Sequence, residues 1–215
     1  MAHSPAKMRK AADHIVAADP AFSEIVESSP LCTIGSKKYL REESHYETLV
    51  KSVCSQQLSV KAADTIIERV YLSLDRDVHP ERIAKMKPEH LREAGLSAAK
   101  VRTIQEMSVA INSGALDLEA LEAHADDDVI VAELSKLWGI GRWTAEMFLM
   151  FKLYRLDVWP VGDLAMRRGW ERIHRMRGEI DPKTLDGKAN DLRPYRSVVA
   201  WYCWRAVDDG TSDSW

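Results

Sequence analysis

The sequence predicts an all-α fold. Apolar residues recur at three- and four-residue spacing in one segment after another. Ser, Asp, Pro and Gly bound those segments at positions where helices start and stop. The strict alternation of a half-buried strand is essentially absent, as are fixed-period repeats and low-complexity stretches.

In order, residues 6–18 carry Met8, Ala11, Ala12, Ile15 and Val16 on one helical face and end before Asp19-Pro20. Asp19 as N-cap and Pro20 at the first helical position restart a short helix with Phe22, Ile25 and Val26, closed by Ser28-Ser29-Pro30. Residues 31–40 form a polar connection with a short extended piece. Residues 45–54 align Tyr46, Leu49, Val50 and Val53 and run into Ser55-Gln56-Gln57-Leu58-Ser59. That polar pair forms a short surface loop, and Ser59 is placed to cap the next helix, 60–74. Short helices follow at 80–86 and 88–94, the second stopped by Gly95. A longer one spans 98–112, opened by Leu96-Ser97 and ended by Ser113-Gly114. Residues 116–124 make a short acidic helix, and Asp126-Asp127-Asp128 caps 129–136. Residues 143–154 are apolar around the whole girth, which predicts a central core helix. A loop holding Trp159-Pro160 leads to a helix at 164–176, basic on one side. Residues 177–194 read as loop, and 198–207 as a last helix with Trp201, Tyr202 and Trp204.

The chain has 215 residues, 46% of them hydrophobic, enough for one large domain or two small lobes. No apolar run reaches the roughly 18 residues of a membrane span, and the first ten residues contain no apolar signal-peptide region. The expectation is a soluble intracellular protein: cytoplasmic, nucleoid-associated in a bacterium or nuclear in a eukaryote. Cys32, Cys54 and Cys203 form no CxxC pair and the seven histidines are scattered, so neither a metal site nor an iron–sulfur cluster is read; the thiols are expected to be reduced core residues.

A net charge of −3 points away from a nucleic-acid partner, but its distribution points back. Residues 115–133 hold seven acids and no Lys or Arg. Residues 141–177 hold eight Lys/Arg against four acids, including Arg167, Arg168, Arg172, Arg175 and Arg177. Such a face can meet a phosphate backbone, and a solvated helix face would look the same.

The most informative stretch is Leu137-Trp-Gly-Ile-Gly-Arg-Trp-Thr-Ala145. Gly139 and Gly141 flank Ile140 in a tight turn that opens a helix near Arg142. Glycines there permit positive φ and close approach of a foreign group, while the amides of the following helix form an anion site. An ordinary helix–helix turn would carry the same glycines. Asp163 stands before the basic helix, where an N-cap is the simplest role. A helix N-terminus and nearby arginines also favour a carboxylate there.

With its flanking residues, this stretch resembles the hairpin of the helix-hairpin-helix DNA glycosylases, and Asp157-Val-Trp-Pro-Val-Gly-Asp163-Leu resembles the segment bearing their aspartate. The 3-methyladenine DNA glycosylase II (AlkA-like) branch is the nearer match. Ser55-Gln-Gln-Leu-Ser-Val-Lys-Ala-Ala63, Leu91-Arg-Glu-Ala-Gly-Leu-Ser-Ala-Ala-Lys100 and Pro194-Tyr-Arg-Ser-Val-Val-Ala-Trp-Tyr-Cys-Trp-Arg205 support it, so the likeness spans about residues 10 to 207.

The resemblance implies a single helical core over 1–215, with a helix-hairpin-helix lobe at about 40–155, a second lobe from 1–39 plus 156–215, and the active site in the cleft between lobes. Some members carry a β-rich N-terminal domain; here the helical pattern begins within the first ten residues, so a compact version without it is expected. Asp163 becomes the catalytic residue and Asp157 a loop or capping residue. Gly139, Gly141, Arg142 and Thr144, with Ser97 and Lys100 from a second loop, bind DNA phosphates. Gln57, with Leu58 beside it, is the wedge that fills the gap left by a flipped nucleotide. Trp143 stands where strand-cutting relatives carry a Schiff-base lysine, which implies base removal alone. All seven tryptophans lie after Lys136, and Trp143, Trp201 and Trp204 are placed to stack on a cationic alkylated purine, with Tyr202 on another face. The implied function is a monofunctional glycosylase excising 3-methyladenine-type purines from damaged double-stranded DNA as a monomer, without cofactor or membrane; the hairpin carbonyls can hold a monovalent cation. The rivals are a non-catalytic hairpin DNA-binding protein, which needs neither Asp163 nor the tryptophans, and a glycosylase for another damaged base. A helical interaction protein would leave the glycine turn and the Gln-Gln loop unexplained.

Overall fold

The computed structural model describes residues 2–36, 43–58 and 60–208. Among these residues the protein is all-α; the sole β feature is an isolated bridge between His3 and Ser36. Among the described residues no helix is long and apolar enough to cross a membrane. The chain divides into two compact units, Met1–Arg41 with Leu149–Trp215, and Glu42–Phe148.

The Glu42–Phe148 unit contains α3 to α9 and the start of α10; α1 (Pro5–Ala18) and α2 (Ser23–Ser28) precede it in the chain. It opens with α3 (His45–Ser55), whose start is held by a capping box: the Ser44 hydroxyl accepts from the Glu47 N–H, and the Glu47 carboxylate accepts from the Ser44 N–H at 2.7 Å. Then come α4 (Val60–Ser73), α5 (Pro80–Lys85), α6 (Pro88–Glu93), α7 (Ala98–Asn112), α8 (Leu118–Glu122) and α9 (Asp127–Ser135). Ser97, Asp117 and Asp126 each cap the helix that follows. The expected cap Ser59 lies outside the described residues, as does part of the 31–40 connection. Leu49, Val53, Ile83, Leu91, Ile104 and Phe148 are fully buried, each side chain contributing roughly 1.5–3 kcal/mol by leaving water.

The helix α10 (Arg142–Phe151) begins in this unit and ends in the other. It stops short of the expected 154 because Tyr154 adopts a left-handed φ of 55°. Two buried polar residues interrupt its apolar girth: Thr144, and Glu146, whose carboxylate accepts from the Arg142 Nε at 2.8 Å.

In the second unit, Ser4 caps α1, with Pro5 in its first turn. Asp19 then accepts from the Ala21 N–H and starts a 3-10 turn at Pro20–Phe22, which runs into α2. Further along, α11 (Leu164–Ile173) is capped by Asp163, and α13 (Arg196–Val207) closes the described chain. The 177–194 stretch, expected as loop, contains α12 (Pro182–Asp186) and a 3-10 turn at Asn190–Leu192. Asp181 starts α12 by accepting from the Thr184 N–H at 3.0 Å. A helix of one turn has no amphipathic repeat, which is why periodicity does not show it.

The close contact of α11 with α13 is made through Gly169. A Cβ there would stand 1.9 Å from the Cys203 carbonyl oxygen. Cys32, Cys54 and Cys203 are free and buried. Burial pushes the first two thiols up to about 12 and Cys203 up as well, so they are inert packing groups.

Candidate DNA-binding and catalytic site

In the Glu42–Phe148 unit the glycine turn between α9 and α10 is fixed by Gly139. Its φ is +80°, and a Cβ on it would lie 2.0 Å from the Thr103 hydroxyl on α7. Ile140 is buried beneath the turn. Gly141 is different: its φ is not left-handed, and a Cβ there would meet nothing within 4 Å. The two glycines therefore do separate jobs. Gly139 makes the turn, and Gly141 leaves open space over the first turn of α10, whose amides have no intrahelical acceptor.

The Gln-Gln loop is tied to this turn. The Gln56 Nε2 donates to the Gly139 carbonyl at 3.0 Å and to the Thr144 hydroxyl at 3.1 Å. The Lys100 ammonium donates to the carbonyls of Cys54 at 2.9 Å and Gln56 at 2.8 Å, closing the C-terminal end of α3. Partial burial holds this lysine below its ordinary pKa. Ser55 to Leu58 form a tight turn closed by the Leu58 N–H on the Ser55 carbonyl at 3.2 Å. Gln56 at φ −49°, ψ 130° and Gln57 at φ +58° describe type II geometry, whose second central position favours glycine. Gln57 and Leu58 both point to solvent.

In the other unit Asp163 is half-buried at the head of α11. Its Oδ1 accepts from the Met166 N–H at 2.7 Å and from the Trp204 indole Nε1 at 2.9 Å. Trp204 is buried on α13, its ring tilted against Phe151 at 5.7 Å. The loop before Asp163 is pinned to the start of α13. Ser197 is fully buried; its hydroxyl donates to the Arg155 carbonyl at 2.8 Å and accepts from the Val158 N–H at 2.9 Å. The Asp157 carboxylate accepts from the Arg196 Nε and the Arg193 Nη1, both at 2.8 Å. A carboxylate held by a helix amide and an indole N–H is an oriented negative charge, suited to facing positive charge as it develops on a reacting group.

Residues 50–194 match the family described as HhH-GPD superfamily base excision DNA repair protein. The chain belongs to this family. It is 34% identical over 170 residues to the DNA-3-methyladenine glycosylase 1 of Schizosaccharomyces pombe, covering 77% of this chain and 74% of that protein. Among solved structures it resembles the S. pombe 3-methyladenine DNA glycosylase in complex with abasic DNA, with a TM-score of 0.79 and 30% identity over 91% of this chain and 95% of that one. It also resembles a Bacillus halodurans DNA-3-methyladenine glycosidase, with a TM-score of 0.78 and 34% identity over 94% and 89% of the two chains.

Several side chains expected at the DNA surface of this HhH-GPD chain turn inward. Thr144 is 2% exposed and its hydroxyl accepts from Gln56, so what it can offer a phosphate is its backbone N–H. Lys100 is committed to the two carbonyls at the end of α3, and the Ser97 hydroxyl accepts from the Lys100 N–H as the cap of α7. Arg142 is exposed but already paired, with Glu146 at 2.8 Å and Asp128 at 3.5 Å. Trp201 is 1% exposed, edge-on to Tyr202 with Arg205 over its ring; it is a core residue, not an open pocket wall. Trp143 is half-buried in the first turn of α10. Arg168, Arg172, Arg175 and Arg177 are exposed, whereas Arg167 donates to the Ile180 carbonyl at 3.3 Å.

Sequence reasoning missed three contributors. Gln56, Ser197 and the Asp163–Trp204 bond each depend on partners 39 to 88 residues away. It also missed that His45, Glu119 and Glu122 bring one ligand atom each within 4.8 Å of one another, the set among the described residues that could hold a metal. Both ring nitrogens of the buried His45 face a carboxylate, at 2.7 and 3.3 Å, which links α3 to α8.

Proposed function

We propose that this protein is a monofunctional DNA glycosylase that excises alkylated purines, of the 3-methyladenine type, from double-stranded DNA in base excision repair. The observation that carries the reading is the Asp163 carboxylate, oriented by the α11 amide and the Trp204 indole, in a chain whose relatives are named 3-methyladenine glycosylases.

In this reading the amides at the start of α10 grip a phosphate beside the open space at Gly141, and Gln57 with Leu58 fills the gap left by the flipped nucleotide. Alkylation at N3 or N7 makes the purine cationic. The C1′–N bond then breaks with its electron pair going to the departing base, which leaves neutral. Positive charge develops on the sugar, Asp163 stabilises it, and water completes the hydrolysis at C1′. Trp143 offers no amine, so no Schiff base forms and the strand stays intact. Trp143, half-buried in the first turn of α10, is the ring offered to the flipped base; Trp204 serves through its bond to Asp163. The protein acts as a monomer and needs no cofactor. The turn carbonyls would be the groups that hold a monovalent cation, and that of Gly139 already accepts from Gln56.

A base-release panel on duplexes bearing 3-methyladenine, 7-methylguanine, ethenoadenine or hypoxanthine tests this. Release of a methylated purine, with an intact strand and no adduct trapped by borohydride, is the expected result. Salt-sensitive binding without release of any base would describe a non-catalytic DNA-binding protein instead. Trp204→Phe keeps an aromatic ring in the core and deletes one donor to a carboxylate. Such bonds contribute about 1.5–3 kcal/mol, so single-turnover release should slow at least about tenfold.

A further inference from the structure

We propose that Gln56 is a positioning residue that locks the gap-filling loop onto the phosphate-gripping turn; this rests on the DNA-binding roles proposed above for those two segments. Gln56 is held at both ends. Its amide donates to Gly139 and Thr144, and its carbonyl accepts from Lys100. Its orientation is unambiguous, because the Gly139 carbonyl can only accept and so must face the NH2 group.

What this clamp holds is strained. Gln57 sits at φ +58°, in the second central position of a type II turn, a place glycine fills without cost and a side chain does not. Strain of this kind persists when the surroundings over-determine it. Here the surroundings are the Gln56 amide on one side and the Lys100 ammonium on the other. The outcome is that Gln57 and Leu58 project from the surface. They do so at a register set by Gly139 and Thr144, the residues that bracket the first amides of α10. Grip and plug thus move as one piece, and Gln56 joins them without itself reaching the DNA.

The test compares the affinity of the full-length protein for two duplexes, one undamaged and one containing a tetrahydrofuran abasic site. Wild type should prefer the abasic duplex. Gln56→Met should cut that preference by about tenfold, the scale of two lost neutral hydrogen bonds, while undamaged-duplex affinity stays within about twofold. In a Gln57→Ala background the same Gln56→Met change should alter the preference by less than about twofold, since nothing is left to position. Thr144→Val, which removes one acceptor without changing shape, should give a smaller loss of about threefold, and provides the reading if Gln56→Met fails to fold. Equal losses on both duplexes, additive losses with Gln57→Ala, or no loss would each overturn the proposal. So would a wild type with no preference for the abasic duplex. A wild type that prefers the abasic duplex but releases no base from methylated DNA overturns the glycosylase function and leaves the role of Gln56 standing.

Discussion

Asp163→Asn is expected to reduce base release by about 10²- to 10³-fold, the scale seen when one preorganised electrostatic group is removed from a transition state. Its fold should survive. Asparagine retains an oxygen at the Oδ1 position, so it can still accept from the Met166 N–H and the Trp204 indole, and it caps a helix about as well as aspartate. What it lacks is the negative charge. The substitution therefore separates two roles that coincide in one side chain, capping and chemistry. Asp163→Leu removes both: it should unfold at a lower temperature, by roughly the 1 kcal/mol of a lost cap, more with the buried indole left without its acceptor. Single-turnover release of 3-methyladenine from a methylated duplex, measured beside thermal unfolding, reads the two apart. An Asn variant working at near wild-type rate would remove Asp163 from the mechanism.

The division between what the sequence makes legible and what it hides follows the range of the interactions. Caps are local. Ser97, Asp126 and Asp163 each bond to an amide two or three residues on, so residue type and position suffice to find them. The left-handed Gly139 is likewise a property of a short stretch. The direction of a polar side chain beside a turn is not. Lys100 and Thr144 stand where phosphate contacts are expected, yet one caps α3 and the other meets Gln56, partners that only the tertiary fold supplies. The tryptophans show the same limit. Trp201 and Trp204 share a helix one turn apart; Trp204 reaches Asp163 and Trp201 is sealed in the core, a difference set by what packs on α13. Asp181-Pro182 repeats the start signal of Asp19-Pro20, the one local cue to α12 in a stretch that otherwise reads as loop.

Gly169 marks the point where packing and chemistry meet, and Gly169→Ala should be strongly destabilising. Glycine to alanine inside a helix normally gains up to about 1 kcal/mol. Here the new Cβ would stand 1.9 Å from the Cys203 oxygen, 2.4 Å from its carbonyl carbon and 2.7 Å from its Cα. All three are backbone atoms, so no side-chain rotation relieves the contact and α11 must move away from α13. The expected net loss is at least about 3 kcal/mol, at the upper end of overpacking in a filled core. Gly178→Ala, in a bend where a Cβ meets nothing within 4 Å, is a control without the clash and should be near neutral. Urea unfolding of the three proteins measures the difference; a Gly169→Ala protein as stable as wild type would mean that the helices do not approach so closely. The effect should extend to activity. Asp163 caps the helix that is displaced, and Trp204 follows Cys203 on the helix it is displaced from, so the same movement lengthens the 2.9 Å bond that orients the carboxylate. Release by the fraction that remains folded should therefore fall as well, by about the factor expected for Trp204→Phe, because both substitutions break the same indole–carboxylate bond.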